Sequence, residues 1–213
     1  MTHRPVPIAL NEYYHIYSRG VDKRKIFLDS EDEKRFVRLL FLCNGDKSIV
    51  YRLTKTSPLA SIDRGENSTA VGAYCLMPNH FHLLLKETKE GGITSFMRKL
   101  LTAYSSFFNK KYERTGSLFE SEFKSEHLNT DEYLKYTFSY IHLNPLKLKY
   151  PDWKEKIERS VAENFLQGYK NSSYLDFCSI DREEASILDR SAFPEYFPDK
   201  STFKEDLFSW FSR

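Results

Sequence analysis

Residues 70–88 read AVGAYCLMPNHFHLLLKET, two apolar runs broken by Pro78-Asn79. Proline and asparagine favour turns, so the stretch predicts two antiparallel strands joined at that pair. The second run carries two of the chain's six histidines, His80 and His82, with Phe81 between them. On a strand, residues two apart share a face, with Cα atoms ~7 Å apart, and the residue between them points the other way. His80 and His82 therefore share a face, and Phe81 is expected to be buried on the opposite one. Imidazoles so placed can converge on one cation. A bare His-x-His pair is also common on half-exposed strands, and taken alone the pattern favours that plainer reading.

Upstream, NEYYHIYSRG (11–20) alternates aromatic and polar positions and ends in glycine, as a strand does. SEDEKRFVRLLFLCN (30–44) opens with Ser30 and places Glu33 three residues later, the pattern of a capping box. Phe36, Val37, Leu39, Leu40 and Cys43 then give a helical apolar face. IVYRLT (49–54) reads as a short strand, and KTSPLASIDRGENST (55–69) as a mobile loop.

Downstream, Gly91-Gly92 opens a helix whose apolar positions, Ile93, Phe96, Met97, Leu100, Leu101 and Tyr104, keep helical spacing. RTGSLFESEFKSEHL (114–128) reads as a turn and a further strand. NTDEYLKYTFSYIHLNPLK (129–147) reads as a helix capped by Asn129 or Thr130, with acids in its first turn. Pro145 disfavours helical geometry at Asn144 and should end it there. The element order implies an α+β fold, an antiparallel sheet with packed helices.

A chain of 213 residues accommodates one large domain, or a domain with an extension, and a substantial core. Three scattered cysteines, Cys43, Cys75 and Cys178, exclude a disulfide framework and a four-cysteine zinc site. With no apolar stretch of ~18 residues and no leader pattern, the chain reads as cytoplasmic and soluble, with no membrane partner. The net charge of +2 hides an asymmetry: residues 151–213 hold 9 Lys+Arg against 13 Asp+Glu, and residues 1–150 hold 23 against 17. The front section suits a polyanionic partner weakly. The acidic remainder is expected to pack against it and not to bind DNA.

Three separated segments, AYCLMPNHFHLLLKE, GGITSFMRKLLTAYSSFFNKKYERTGSLFESEFKSE and YIHLNPLK, resemble the single-tyrosine HUH transposases, in particular the REP-associated tyrosine transposases. The resemblance runs over about residues 9–148 and keeps the family's motif order. It implies a ferredoxin-like, RRM-like HUH domain at 9–148, followed by an acidic C-terminal extension at 149–213. It implies His80 and His82 as ligands of a divalent metal (Mg²⁺ or Mn²⁺), Tyr140 as nucleophile and Asn144 as third ligand. Of the 14 tyrosines, Tyr140 alone has an Asn, Gln, His, Asp or Glu four residues later, one helical turn away on the same face. The implied activity is DNA transposition and recombination by metal-dependent cleavage and rejoining of single-stranded DNA, at hairpin-forming repeats, through a 5′-phosphotyrosine. The acting species would be a monomer or homodimer. Glu120, Glu122 and Phe119 depart from the family's usual small or basic residues and tryptophan in that region.

Arg19, Lys110, Lys111, Arg114 and Lys124 are candidate DNA contacts, since cations interleaved with aromatics grip single-stranded backbone. The aromatics around them fit better as the core face of a helix. His15, His127 and His142 read as structural. His142 lies ~200° around the helix from Tyr140 and cannot share its face. The rival from another class is a non-catalytic single-stranded nucleic-acid-binding module on the same sheet, and a structural zinc protein finds no thiolate cluster to support it.

Overall fold

The computed structural model describes residues 7–153 and 157–210. Four strands, β1 (Tyr13–Arg19), β2 (Ala70–Met77), β3 (His80–Lys86) and β4 (Lys124–His127), form one sheet in the order β2-β3-β1-β4. Every neighbouring pair is antiparallel. Helix α1 (Ser30–Leu42) joins β1 to β2, and α3 (Gly92–Lys111) joins β3 to β4. This β-α-β-β-α-β arrangement is the ferredoxin-like split βαβ. The Pro78-Asn79 turn lies where the sequence places it, between β2 and β3.

The period-two pattern of the strands divides the sheet into two apolar layers. Ile16, Tyr74, Leu76, Phe81 and Leu83 face α1 and α3, where Phe81 meets Phe36 at a ring-centroid distance of 5.0 Å. Ala73, Cys75, Met77 and Leu84 face the other way, towards α4 (Asp131–Leu143) and the C-terminal section. A bulge at Gly72 keeps both faces of β2 in phase, with Val71 opposite Leu85 and Ala73 opposite Leu84. A side chain at Gly72 would collide with the Phe193 ring, which lies 2.7 Å from where its Cβ would sit.

The C-terminal section contributes α5 (Arg159–Gly168), α6 (Tyr174–Phe177) and α7 (Lys200–Ser209). Phe177, Phe203 and Leu207 from it are buried with Phe138 and Ile141 of α4 in one cluster. Residues 171–173 also run along the outer edge of β2. There Leu76 N–H donates to Asn171 O at 2.8 Å and Ser173 N–H donates to Tyr74 O at 3.0 Å. Arg182 secures this crossing with bonds to Asp176 (2.5 Å), the Ser172 carbonyl (2.6 Å) and the Tyr74 hydroxyl (3.0 Å). The opposite edge, β4, is short and charged, which discourages pairing with another chain.

Two local expectations are corrected. The cap of α1 is Asp29, not Ser30: its carboxylate accepts from the N–H groups of Glu31 and Asp32 at 2.9 and 3.0 Å. An ionised acceptor at the positive helix end outcompetes a hydroxyl. Residues 49–54 contain a helical turn, α2 (Tyr51–Thr54), in place of a strand. Arg35 of α1 lies 3.3 Å from the Tyr51 ring centroid, and the Arg38 guanidinium takes the carbonyls of Thr54 and Ser57, which holds the segment against α1. The following loop is tied down at Leu59, which is buried and donates its N–H to Glu183. Among the described residues, no helix is long and apolar enough to cross a membrane.

Candidate active site between the sheet and helix α4

Strand register assembles the site from residues distant in sequence. Tyr17 lies opposite His82 and Arg19 opposite His80 on the β1–β3 side, while His15 lies opposite Glu126 on the β1–β4 side. All six side chains line one cleft of about 550 Å³, under α4. The His80 and His82 rings are neighbours, with centroids 4.9 Å apart and planes at 88°. Phe81 between them is fully buried on the other face.

Helix α4 brings the tyrosine. Thr130 caps it through a bond from Tyr133 N–H, and Asn144 closes it, donating its own N–H to Tyr140 O. The chain then continues through Pro145 as a 3-10 turn, Asn144–Leu148, which places Lys147 in the same cleft. The Tyr140 ring stands edge-on to His82 at 5.5 Å and to His15 at 5.7 Å. Lys147 Nζ lies 4.8 Å from the Tyr140 ring centroid.

The hydrogen bonds fix which imidazole nitrogens are free. His80 Nδ1 is 2.6 Å from Asn79 Oδ1, so it is the donor and Nε2 is left bare when the ring is neutral. His82 Nδ1 is 2.8 Å from His15 Nε2, and His15 Nδ1 is 3.2 Å from the Glu126 carboxylate. Among the described residues, buried His82 Nε2 finds no hydrogen-bond partner, nor does Asn144 Nδ2. Burial lowers the His80 pKa to about 4, with help from the Arg19 and Lys147 charges. Burial first, then the neighbouring imidazoles, pushes His82 well below its ordinary value. Both rings are therefore neutral at pH 7, the form that donates a lone pair to a metal. Burial raises the Tyr140 pKa, and the neighbouring Asn144 carboxamide works against that rise.

Among the described residues no group of three or more His, Cys, Asp or Glu side chains is placed to hold a metal ion. The donor set present is two imidazoles and a carboxamide. It fits a divalent cation on one observation in particular, the buried His82 Nε2 with nothing to bond.

The cationic residues named from sequence divide between two places. Arg19 and Lys124 line the cleft, together with Lys147, which sequence reasoning missed. Lys110, Lys111 and Arg114 do not, because α3 and the turn after it belong to the opposite layer. Lys111 is held there by Asp29, Asp32 and Glu31 at 2.8, 2.8 and 3.1 Å, and Arg114 bonds Asn109. His142 is buried away from the cleft and His127 stacks on Tyr14. His15, also read as structural from the sequence, touches His82 within the cleft.

The fold has a known counterpart. The chain is similar to a solved REP-associated tyrosine transposase bound to a REP hairpin, with a TM-score of 0.53 and 11% identity over 92% of this chain and 98% of that one. That likeness speaks for the fold alone, an antiparallel sheet with packed helices. Residues 59–144, which carry the histidine pair, Tyr140 and Asn144, match the family described as "Transposase IS200 like". That match spans 86 of the chain's 213 residues. No curated protein matches the chain.

Proposed function

We propose that this chain cuts and rejoins single-stranded DNA through a covalent bond to Tyr140, with Mg²⁺ or Mn²⁺ held by His80, His82 and Asn144. The observation that carries the reading is the Tyr140 ring standing 5.5 Å from His82 in a cleft that Asn144 also lines. The cation, when bound, acts as a Lewis acid on a non-bridging oxygen of the scissile phosphate. Activation is needed because a phenol with an ordinary pKa of about 10, raised further here by burial, is a poor nucleophile at neutral pH.

The chain's own groups do the rest. Tyr140 Oη bonds to phosphorus as the P–O3′ bond breaks, and the proton lost by the phenol is balanced by the one gained at the departing 3′-hydroxyl. The 5′ side remains as a phosphotyrosine ester, so the reverse attack rejoins DNA without a nucleotide cofactor. Arg19, Lys124 and Lys147 bring positive charge to the phosphates entering the cleft. The hairpin bound by the structurally similar transposase supports hairpin-forming single strands as the substrate class.

The test is incubation with single-stranded hairpin oligonucleotides and Mn²⁺, read as a protein–DNA adduct that survives denaturation. Wild type should form it. Tyr140→Phe should bind DNA nearly as well, because affinity rests on phosphate contacts, yet form none. His80→Ala should also lose it, with partial recovery in excess Mn²⁺, which cannot recover Tyr140→Phe. An adduct from the Phe variant would move the nucleophile elsewhere, to Tyr136 first. No adduct from wild type on any hairpin would favour the non-catalytic binding module.

A further inference from the structure

We infer that His15 and Glu126 are positioning residues that fix the hydrogen on His82 Nδ1 and so hold its Nε2 lone pair towards the cation. The inference rests on the metal-dependent reading above.

With both imidazoles neutral, the geometry allows one assignment of hydrogens. The Glu126 carboxylate oxygen is the acceptor here, so His15 Nδ1, 3.2 Å from it, carries a hydrogen. A neutral His15 then has a bare Nε2, which accepts. The hydrogen in the 2.8 Å contact between the two rings therefore belongs to His82 Nδ1. What remains on His82 is Nε2, buried in the cleft wall without a partner. A hydrogen at Nε2 instead would leave no lone pair there, and two bare nitrogens would face one another between the rings.

The relay is built for rigidity. His15 and His82 stack at 5.0 Å with planes 22° apart, and both are 6% exposed. Glu126 sits directly across the β1–β4 ladder from His15, so backbone register holds the acceptor in place. His82 thus reaches a carboxylate through an intervening imidazole, where a metal-bound histidine more often meets one directly. Among the described residues His80 has no such chain, and its Nδ1 bonds Asn79.

Two measurements on the intact protein test this. Imidazole nitrogen NMR of the metal-free protein at neutral pH should find His82 with hydrogen on Nδ1 and a bare Nε2. A hydrogen on Nε2 would overturn the inference. Mn²⁺ affinity, read from the signal of free aqueous Mn²⁺, should fall about 10- to 100-fold in His15→Phe, which keeps the ring but removes both nitrogens. His15→Gln should recover part of it, because the carboxamide oxygen can still accept from His82 while its NH₂ donates to Glu126. Glu126→Ala should weaken binding less. Its side chain is half-exposed at the sheet edge, so the variant is expected to fold even if His15→Phe does not.

The double variant separates a relay from plain attraction between carboxylate and cation. If Glu126 acts through His15, the double variant binds no more weakly than His15→Phe alone. If the two losses add, the relay is refuted. A wild type that binds no Mn²⁺ would overturn the metal-dependent reading itself. Wild-type binding with undiminished affinity in His15→Phe would overturn only the relay.

Discussion

His142 occupies the interior without contact with water, its Nε2 2.8 Å from the Ser173 hydroxyl. Burial pushes its pKa down to about 3. The unfolded chain, with an ordinary pKa near 6.5, takes a proton that the folded chain refuses. Its contribution to stability is complete above pH 6.5 and declines as pH falls from 6.5 towards 3. Replacing it with a group that does not titrate should flatten that limb. Urea denaturation of His142→Gln at pH 7 and 5 should give a smaller acid loss than wild type, by up to ~1.4 kcal/mol per pH unit. Equal losses would mean that His142 is protonated in the fold. At this scale the sequence was legible where periodicity alone decides. Phe81 had to face away from the two histidines, and His142 away from Tyr140. His15 was not legible, because its partner is set by the pairing of β1 with β3, across 67 residues of chain.

At the scale of elements, α1 shows how charge moves a boundary. Asp29 accepts two helix N–H groups and also pairs with Lys111 at the end of α3. Asp29→Ala should cost about 1–2 kcal/mol in chemical denaturation, whereas Ser30→Ala should change little. A larger loss at Ser30 would restore the capping box that Ser30 and Glu33 suggest. The strands, α3 and α4 were legible because each has a long periodic face bounded by Pro78-Asn79, Gly91-Gly92 or Thr130. Residues 49–54 were not. Three β-branched residues and a tyrosine favour a strand locally, and only Arg35 and Arg38 of α1 decide for a helical turn. The cationic end of α3 lies apart from the cleft for a related reason. Sequence spacing reveals charge, but the sheet decides which layer it occupies.

At the scale of the whole molecule, the sheet separates a structural layer, α1 and α3, from the layer that carries the cleft. The second layer is incomplete without the C-terminal section, since Phe177, Phe203 and Leu207 cover the underside of α4. Removing residues 169–213 should therefore expose both that apolar surface and the outer edge of β2. Size-exclusion chromatography of the shortened chain should find oligomers or aggregate, and no cooperative monomer on heating. A monomer with a sharp transition would mean that the first 168 residues fold alone. The front topology followed from element order and short connections. The C-terminal arrangement did not, because its apolar residues are scattered over short helices that no single period describes.

The closure of the β2 edge by residues 171–173 bears on how this protein is made. The chain leaves the ribosome from its N-terminus, and Met77 at the end of β2 precedes Asn171 by about 94 residues, or roughly 5–20 s of synthesis. For that interval the newly made half of the protein carries an uncovered row of backbone donors and acceptors beside AVGAYCLM, an apolar segment suited to cross-chain pairing. Neighbouring nascent chains on one message present the same segment at the same stage. Slowing the synthesis of neighbouring chains or adding chaperone is therefore expected to raise the amount recovered without changing the stability of the finished fold.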